Sequence, residues 1–174
     1  MKLTLNKSIE ILTTTPFVLE TLLSQLSTEW LYNNEGENTW SPHEIVAHLI
    51  EGEKTNWMPR VEIILSNNQD KTLESFIRMD ENKSYKEKSI TMLLNEFNEL
   101  RNQNTSNLKA KNIDQIKLNK IGIHPVFGVV TLSELIATWT THDLNHIAQI
   151  ARVLAKQYED EVGPWKQYLS ILKK

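Results

Sequence analysis

Two histidines, His142 and His146, lie four residues apart in the stretch "ATWTTHDLNHIAQIARVLA". On a helix this spacing places the two imidazoles one above the other on the same side, next to Gln149, so their nitrogens can reach a common point. A third histidine, His48, lies at the edge of the apolar stripe predicted for an earlier helix. Three such imidazoles would hold a divalent metal ion and leave one coordination position open for water or substrate, which is typical of catalytic sites.

Two carboxylates interrupt the same apolar stripes. Asp143 stands where the later helix should carry a leucine, and Glu53 lies inside the stripe of the helix that carries His48. Burial of an unpaired carboxylate costs roughly 2 kcal/mol or more, so each group needs a partner. We predict that Asp143 orients a metal-binding histidine or a backbone group, or accepts protons in catalysis. Glu53 is predicted to play one of these roles or to form a buried ion pair with Arg60 or Arg78.

The two other histidines of the chain have less informative positions. His124 precedes Pro125 in a loop, and it is either a catalytic candidate at the mouth of the site or an ordinary loop histidine. His43 falls in the first turn of a predicted helix and is interpreted as solvated. The candidate catalytic residues are therefore Asp143, Glu53 and His124, and the candidate metal ligands are His48, His142 and His146.

The composition excludes several classes of function. The chain has 174 residues, which suits a single domain spanning 1–174. With 19 basic and 22 acidic residues and a net charge of −3, it lacks the positive field that nucleic acids or anionic membranes attract. It has no cysteine, which excludes disulfides, thiolate metal ligands and a cysteine nucleophile. No apolar run approaches the ~20 residues that span a bilayer, so a cytoplasmic location is predicted.

Helical periodicity dominates the chain and predicts an all-α domain. Four main helices are predicted at about residues 6–27, 41–65, 88–108 and 131–158. A connection of roughly twenty residues joins the second to the third, and residues 109–130 are predicted to be irregular. A short C-terminal helix in "GPWKQYLSIL" is predicted to lay Trp165, Leu169 and Leu172 across the other helices.

The helix ends and interruptions have specific signals. Ser41 with Glu44, and Thr131 with Glu134, have the spacing of capping boxes and predict where the second and fourth helices begin. Pro16 is predicted to kink the first helix, and Pro59 to bend or interrupt the second.

Several known kinds of catalytic site do not match. The zincin pattern requires glutamate directly after its first histidine, whereas Asp143 follows His142. The helical di-iron class requires two Glu-x-x-His motifs, and the sequence has none. It also lacks a glycine-rich phosphate loop and the strand-turn-helix motif that carries a hydrolase serine. The three histidines therefore belong to a different class of site.

Four stretches carry a family resemblance: "TPFVLETLL", "TWSPHEIVAHLIEGEKTNWMPR", "HPVFGVVTLSELIATWTTHDLNHIAQIAR" and "VGPWKQYLSIL". On these the whole chain resembles the DinB-like superfamily, also called the YfiT-like metal-dependent hydrolases. The resemblance implies a four-helix bundle that is often homodimeric. It also implies a metal held by one histidine of the second helix and two of the fourth, which match His48, His142 and His146.

The resemblance leaves three kinds of function open. One divalent ion per chain, Ni²⁺ or Zn²⁺, is expected. The leading hypothesis is transfer of a low-molecular-weight thiol of the bacillithiol type to an electrophile, with the thiol bound as thiolate at the open position. In the second hypothesis, a metal ion at the same site activates water at its open position for hydrolysis of a small-molecule substrate. In the third, the protein is a stress or binding protein that uses the metal without catalysis.

Overall fold

The computed structural model of the chain describes residues 4–75 and 83–173, and most of these residues are helical. The helices are α1 Leu5–Leu23, α2 Thr28–Tyr32, α3 Pro42–Glu51, α4 Trp57–Leu65, α5 Lys83–Lys86, α6 Ile90–Ala110, α7 Gln115–Leu118 and α8 Leu132–Lys156. A π-helical turn, Gly52–Asn56, joins α3 to α4. The strands β1 Ile121–His124 and β2 Gly128–Thr131 precede α8, and two 3-10 helices, Gly163–Tyr168 and Ser170–Leu172, end the chain.

Four rods form a bundle: α1, α3 continued by α4, α6, and α8. Both α1 and α3 pack against α6 and α8. The prediction of an all-α four-helix bundle is confirmed, with one small antiparallel hairpin as an addition. Within residues 4–75 and 83–173, no helix combines the length and the apolar character that crossing a lipid bilayer requires.

The core consists of two apolar clusters in opposite halves of the bundle. One includes Leu23, Ile45 and Phe97, and the other includes Val61 and Trp139. On each rod, some of the buried polar side chains fall between the segments that supply the two clusters. These polar side chains include Thr15, Glu53, Asn56, Arg101, Asn104, Asp143 and His146. A polar layer therefore crosses the middle of the bundle, and it contains Glu53, Asp143 and His146 of the candidate site.

The two helices that carry the candidate ligands begin at the predicted capping boxes. At α3, Glu44 N–H donates to Ser41 Oγ at 3.3 Å and Ser41 N–H donates to Glu44 Oε2 at 2.9 Å. At α8, Glu134 N–H donates to Thr131 Oγ1 at 3.1 Å and Thr131 N–H to Glu134 Oε2 at 2.7 Å. Each box satisfies N–H groups that the first helical turn leaves without partners. The register of both helices is thus set locally.

The two prolines inside the rods have different consequences. Pro59 cannot donate the backbone hydrogen bond of a regular helix, and the turn before it is wound more widely, with Trp57 N–H donating to the Gly52 carbonyl. The predicted interruption of the second helix is thus a π-helical turn. In contrast, α1 continues through Pro16 as one helix. Because Pro16 has no N–H, the carbonyl of Leu12, four residues earlier, has no intrahelical partner.

The segment predicted to be irregular contains a short helix and a hairpin. Ile121 pairs with Thr131 and His124 with Gly128 across the hairpin. The hairpin packs tightly on α4, since a Cβ on Gly122 would lie 2.9 Å from the side chain of Ile64. The strands are only four residues long, so their side-chain alternation gives too weak a signal to predict from sequence.

The C-terminal segment differs from its prediction. It forms two short 3-10 helices instead of one α-helix, and of the three residues expected to cover the bundle only Leu172 is buried. Trp165 is 69% exposed, and Leu169 is also exposed. Pro164 follows Gly163, which has φ +53°, so the chain turns as the segment begins and a regular helix does not form.

Candidate metal centre

The three predicted ligands meet at one point between two rods. His48 projects from α3, and His142 and His146 project from α8. The Nε2 atom of His142 lies 3.2 Å from Nε2 of His48 and 3.1 Å from Nε2 of His146. One nitrogen from each ring lies within 4.8 Å of the other two. The spacing of four residues on α8 therefore produces the convergence that the sequence predicts.

Surrounding side chains fix the rings in place. His146 Nδ1 donates to Gln149 Oε1 at 2.8 Å, so the lone pair of His146 is on Nε2, the atom that faces the other two imidazoles. The ring of Trp40 lies 4.7 Å from the ring of His48, and the ring of Trp57 lies edge-on to His142 at 5.0 Å. These contacts hold the imidazoles in one arrangement and limit the access of water to them.

The three nitrogens cannot all satisfy one another by hydrogen bonds. His146 Nε2 is an acceptor, so His142 Nε2 must donate to it and then has no lone pair with which to accept from His48. In addition, His142 Nδ1 is buried without a hydrogen-bond partner among the described residues. A divalent cation bound by three lone pairs would remove this conflict, and imidazole nitrogens suit Zn²⁺ and Ni²⁺. The residues therefore fit the ion that the resemblance implies.

The electrostatic environment keeps His142 ready to act as a ligand. Burial, together with the positive charges that His146, His48 and Arg101 can carry, lowers the pKa of His142 to about 3. A buried imidazole between other basic groups cannot easily accept a proton. At neutral pH His142 is therefore in the neutral form that binds metal ions.

A cavity of about 790 Å³ opens beside the three histidines. Its other walls are mostly polar and come from the loop before α3, the π-helical turn and α8. They are Glu35, Asn38, Thr39, Trp40, Gly52, Asn56, Asn145, Gln149 and Arg152. Arg152 forms a bidentate ion pair with Glu35, at 2.7 Å from Nη2 to Oε1 and 2.8 Å from Nε to Oε2. The cavity is large enough for a small polar molecule that would also reach the histidines.

The carboxylates Asp143 and Glu53 both bind Arg101. Arg101 Nη2 donates to Asp143 Oδ1 at 3.0 Å and to Glu53 Oε1 at 2.8 Å, and Arg101 Nη1 donates to Asp143 Oδ2. All three side chains are almost completely buried. Burial alone would lower the pKa of Arg101, but the charges of Glu53 and Asp143 raise it above its usual value, so the guanidinium stays protonated.

Further contacts complete this group, which we call the Arg101 cluster: Arg101, Glu53, Asp143, Asn104 and Trp139. Trp139 Nε1 donates to Glu53 Oε1 at 3.1 Å, and Asn104 Nδ2 donates to Glu53 Oε2 at 2.9 Å. Arg101 Nη1 also donates to the carbonyl of Leu12 at 2.9 Å, the carbonyl that Pro16 leaves without a helical partner. The cluster therefore connects all four rods next to the histidines.

These contacts correct two predictions about the carboxylates. Asp143 bonds to Arg101 and not to a histidine ring, so the expected orienting role belongs to Gln149. Glu53 does form a buried ion pair, but with Arg101, whereas Arg60 donates to the carbonyl of Glu74 at 2.8 Å. Arg78, the other predicted partner, lies outside the described residues.

The remaining two histidines are not part of the cavity wall. His124 lies at the hairpin turn, where its Nδ1 accepts from Val126 and Phe127 N–H, both at 3.2 Å. Partial burial and the nearby charge of Arg60 lower its pKa. His43 was expected to be solvated, but it is buried and its Nε2 lies 2.8 Å from the Lys88 carbonyl.

Arg101 is the main site residue that the sequence analysis misses. It lies four residues after Phe97 on the buried side of α6, so it interrupts an apolar stripe just as Asp143 does. That signal was available in the sequence. The pair of Glu35 and Arg152 gives no comparable signal, because the two residues are 117 positions apart and one lies in a loop.

Comparison with known proteins agrees with this architecture. A sequence model described as the DinB superfamily matches residues 11–150. Among solved structures, the fold is similar to that of YfiT from Bacillus subtilis, described as a probable metal-dependent hydrolase with an unusual four-helix bundle topology. The two chains are 17% identical, with a TM-score of 0.73 over 91% of this chain and 87% of YfiT. No curated protein matches the chain.

Proposed function

The chain belongs to the DinB superfamily, and on this basis we propose that it is a metal-dependent enzyme that transfers a low-molecular-weight thiol to an electrophile. The supporting observation is the convergence of His48, His142 and His146 beside an open polar cavity. We propose that these residues hold one Zn²⁺ or Ni²⁺ ion per chain. An ion held in this way supplies a Lewis acid that lowers the pKa of a coordinated thiol and holds its sulfur for attack.

The chain's own side chains have distinct roles in this proposal. The three imidazoles would hold the ion at the wall of the cavity that they line, where a thiol could also bind to it. Gln149 keeps His146 in the tautomer that binds. Asp143 and Glu53 act through Arg101 to position α8 and the π-helical turn, and they take no part in proton transfer.

The state of the carboxylates favours thiol transfer over hydrolysis. Glu35 is the one carboxylate among the described residues that line the cavity, and it is held by Arg152. Asp143 and Glu53 are buried and bound by Arg101. Hydrolysis at a metal ion is assisted by a group that takes a proton from water, and none of these carboxylates is available as such a base. A thiol needs less help, since its pKa lies far below that of water.

Hydrolysis is the second candidate because YfiT is described as a probable metal-dependent hydrolase and has the same fold. In that case water would take the place of the thiol at the same three histidines, and the substrate would be an ester or amide. The cavity that we assign to the thiol and its electrophile would then hold that substrate. Activity without added thiol distinguishes this function from the first.

The experiment combines metal content with turnover. Untagged protein is analysed for metals and then assayed with a panel of thiols against 1-chloro-2,4-dinitrobenzene and other electrophiles. We expect about one divalent ion per chain and thiol-dependent turnover that is lost in His142→Ala. His124→Ala is the matched control, since His124 lies in the hairpin turn outside the cavity wall.

Each other outcome has a definite meaning. Hydrolysis of esters or amides without thiol would favour the second candidate. Bound metal without turnover across the panel would favour a non-catalytic binding protein. Purification without metal, and no uptake of Ni²⁺ or Zn²⁺, would contradict both enzymatic functions.

We also make a proposal about the assembly and the location of the protein. We propose a homodimer in the cytoplasm, where low-molecular-weight thiols remain reduced. Light scattering on the purified chain would test the homodimer, with twice the chain mass of 20.2 kDa expected.

A further inference from the structure

Asn56 is a buried polar residue of the cavity whose side-chain oxygen has no hydrogen-bond partner among the described residues. It is the last residue of the π-helical turn, and it lines the same cavity as His48 and His142. Its exposed fraction is 8%, and its Oδ1 atom is buried without a hydrogen-bond partner among the described residues. By contrast, the other buried amide of the polar layer, Asn104, donates twice to Glu53.

An unpartnered amide at this position is unfavourable for the protein alone. Buried side-chain oxygens nearly always have a partner, because burial removes the water that would otherwise bond to them. A leucine, which has the same number of side-chain heavy atoms, would avoid this loss. The polar side chain is therefore better explained by something that enters the cavity than by the stability of the fold.

The π-helical turn brings Asn56 to the side of the histidines. In a regular helix eight residues turn the chain by about 800°, which would place Asn56 roughly 80° from His48 around the axis. A π-helical turn accommodates one extra residue, so the eight residues turn the chain only as far as seven would, by about 700°. Asn56 therefore lies within about 20° of His48 around the helix axis. Pro59, which disfavours the regular helix here, therefore helps to build the cavity wall.

We infer that Asn56 is a ligand-binding residue whose side-chain oxygen accepts a hydrogen bond from an O–H or N–H group of the cavity's ligand. This inference rests on the proposed function, because the same ligand carries the atom that binds at the three histidines. It defines the ligand class: a thiol that carries a hydroxyl or amide donor near its sulfur, and not a simple alkyl thiol. The polar side chains of the remaining wall suit such a molecule.

The experiment measures selectivity for the donor group. Co²⁺-loaded protein is titrated with hydroxyl- and amide-bearing thiols, such as 2-mercaptoethanol and N-acetylcysteamine, each paired with an alkyl thiol of the same length. Binding is followed by the sulfur-to-cobalt charge-transfer band. We expect wild-type protein to bind at least one donor-bearing thiol about three- to tenfold more tightly than its alkyl counterpart, the effect of one hydrogen bond.

The variant Asn56→Leu removes the amide and keeps the number of side-chain heavy atoms, and it should lose this selectivity while retaining the alkyl thiol. Asn102→Leu is the matched control, because Asn102 is exposed on α6 and does not line the cavity. It should keep the selectivity. Equal loss in both variants, or selectivity unchanged in Asn56→Leu, would overturn the inference.

A second measurement does not depend on the metal. The thermal unfolding midpoint of metal-free Asn56→Leu should lie above that of wild-type protein, since the variant removes an unsatisfied buried group. A lower midpoint would mean that Asn56 serves the fold, and would overturn the inference. If wild-type protein binds no Co²⁺, the proposed metal site fails by itself, and the unfolding midpoint alone decides the assignment of Asn56.

Discussion

His142 has the central position in the candidate site, because its Nε2 lies within hydrogen-bond distance of both other imidazoles. Two features prepare it for a metal ion. Burial keeps it neutral, and Gln149 directs the lone pair of His146 toward the same point. The three donor nitrogens are therefore already close together in the protein alone, which would reduce the reorganisation that binding of an ion requires. The contribution of Gln149 can be measured separately, since it is not itself a ligand.

Replacement of Gln149 by leucine should weaken metal binding by about 10- to 100-fold. The variant removes the acceptor that fixes the tautomer of His146, and this is the usual effect of losing such a partner. The affinity for Zn²⁺ is measured by competition with a chromophoric chelator. Gln149→Glu keeps an acceptor at the same place and should retain the affinity. Equal affinities in Gln149→Leu and wild-type protein would show that ring orientation does not depend on this contact.

Individual residues were predictable where a helical period made their spacing informative. His142 and His146 follow the helical period, His48 lies at the edge of an apolar stripe and Asp143 interrupts one, so the sequence identified all four as candidate site residues. Their interaction partners were harder to predict from the sequence. Arg101 offered the same kind of signal as Asp143, but sequence does not specify which of several cations a buried carboxylate meets. That choice depends on the packing of α6 against α8, a tertiary property.

At the scale of elements, the site depends on where α8 begins. The capping box of Thr131 and Glu134 sets the first turn, and His142 follows three turns later. Such a box is local in sequence, which explains why both helix starts were predicted correctly. The hairpin before α8 was not predicted, because its short strands gain their stability from packing on α4.

Loss of the cap at α8 should destabilise the protein by about 1 kcal/mol. Thr131→Ala removes the hydroxyl that accepts from Glu134 N–H and leaves that donor unsatisfied. The free energy of unfolding is measured with urea. Thr138→Ala is the control on the same helix, because Thr138 is exposed in the helix interior, where alanine is favourable. A larger loss in Thr138→Ala than in Thr131→Ala would contradict the assigned role of the cap.

A second element, the loop of residues 33–41, covers one side of the cavity and is held to α8 by Glu35 and Arg152. Arg152 lowers the pKa of Glu35, chiefly through its hydrogen bonds. The pair therefore stabilises the loop fully above the ordinary pKa of 4.5, and this contribution is lost as the pH falls through the lowered value.

The expected result is faster amide hydrogen exchange in this loop at low pH. Wild-type protein should show protection at about pH 6 that declines toward about pH 3, after correction for intrinsic exchange rates. Glu35→Gln should show reduced protection at both values with little pH dependence. Exchange in Glu35→Gln that matches wild type at about pH 6 would mean that Trp40 and its neighbours hold the loop without the ion pair.

At the scale of the whole molecule, the polar layer divides the core into two apolar clusters. The Arg101 cluster occupies this layer and contacts all four rods, including α1 through the carbonyl of Leu12. The general architecture followed from composition and periodicity, since amphipathic helices have few ways to bury their apolar faces. The polar layer could not be predicted in this way, because it joins residues from four segments that are distant in the sequence. Its position next to the histidines makes the bundle's stability and the geometry of the site depend on the same side chains.

Removal of the central cation should therefore be costly. Arg101→Met leaves Glu53 and Asp143 buried without a counterion, and we expect a loss of about 3–5 kcal/mol in the free energy of unfolding, measured with urea on metal-free protein. Lys111→Met, which breaks an exposed pair with Glu62, is the control and should cost less than about 1 kcal/mol. If Arg101→Met still folds, α8 should shift because Asp143 has lost its partner. The three histidines should then bind Zn²⁺ more weakly. A loss in Arg101→Met no larger than in Lys111→Met would contradict the structural role of the cluster. Unchanged Zn²⁺ affinity in a destabilised Arg101→Met would separate the stability of the bundle from the geometry of the histidines.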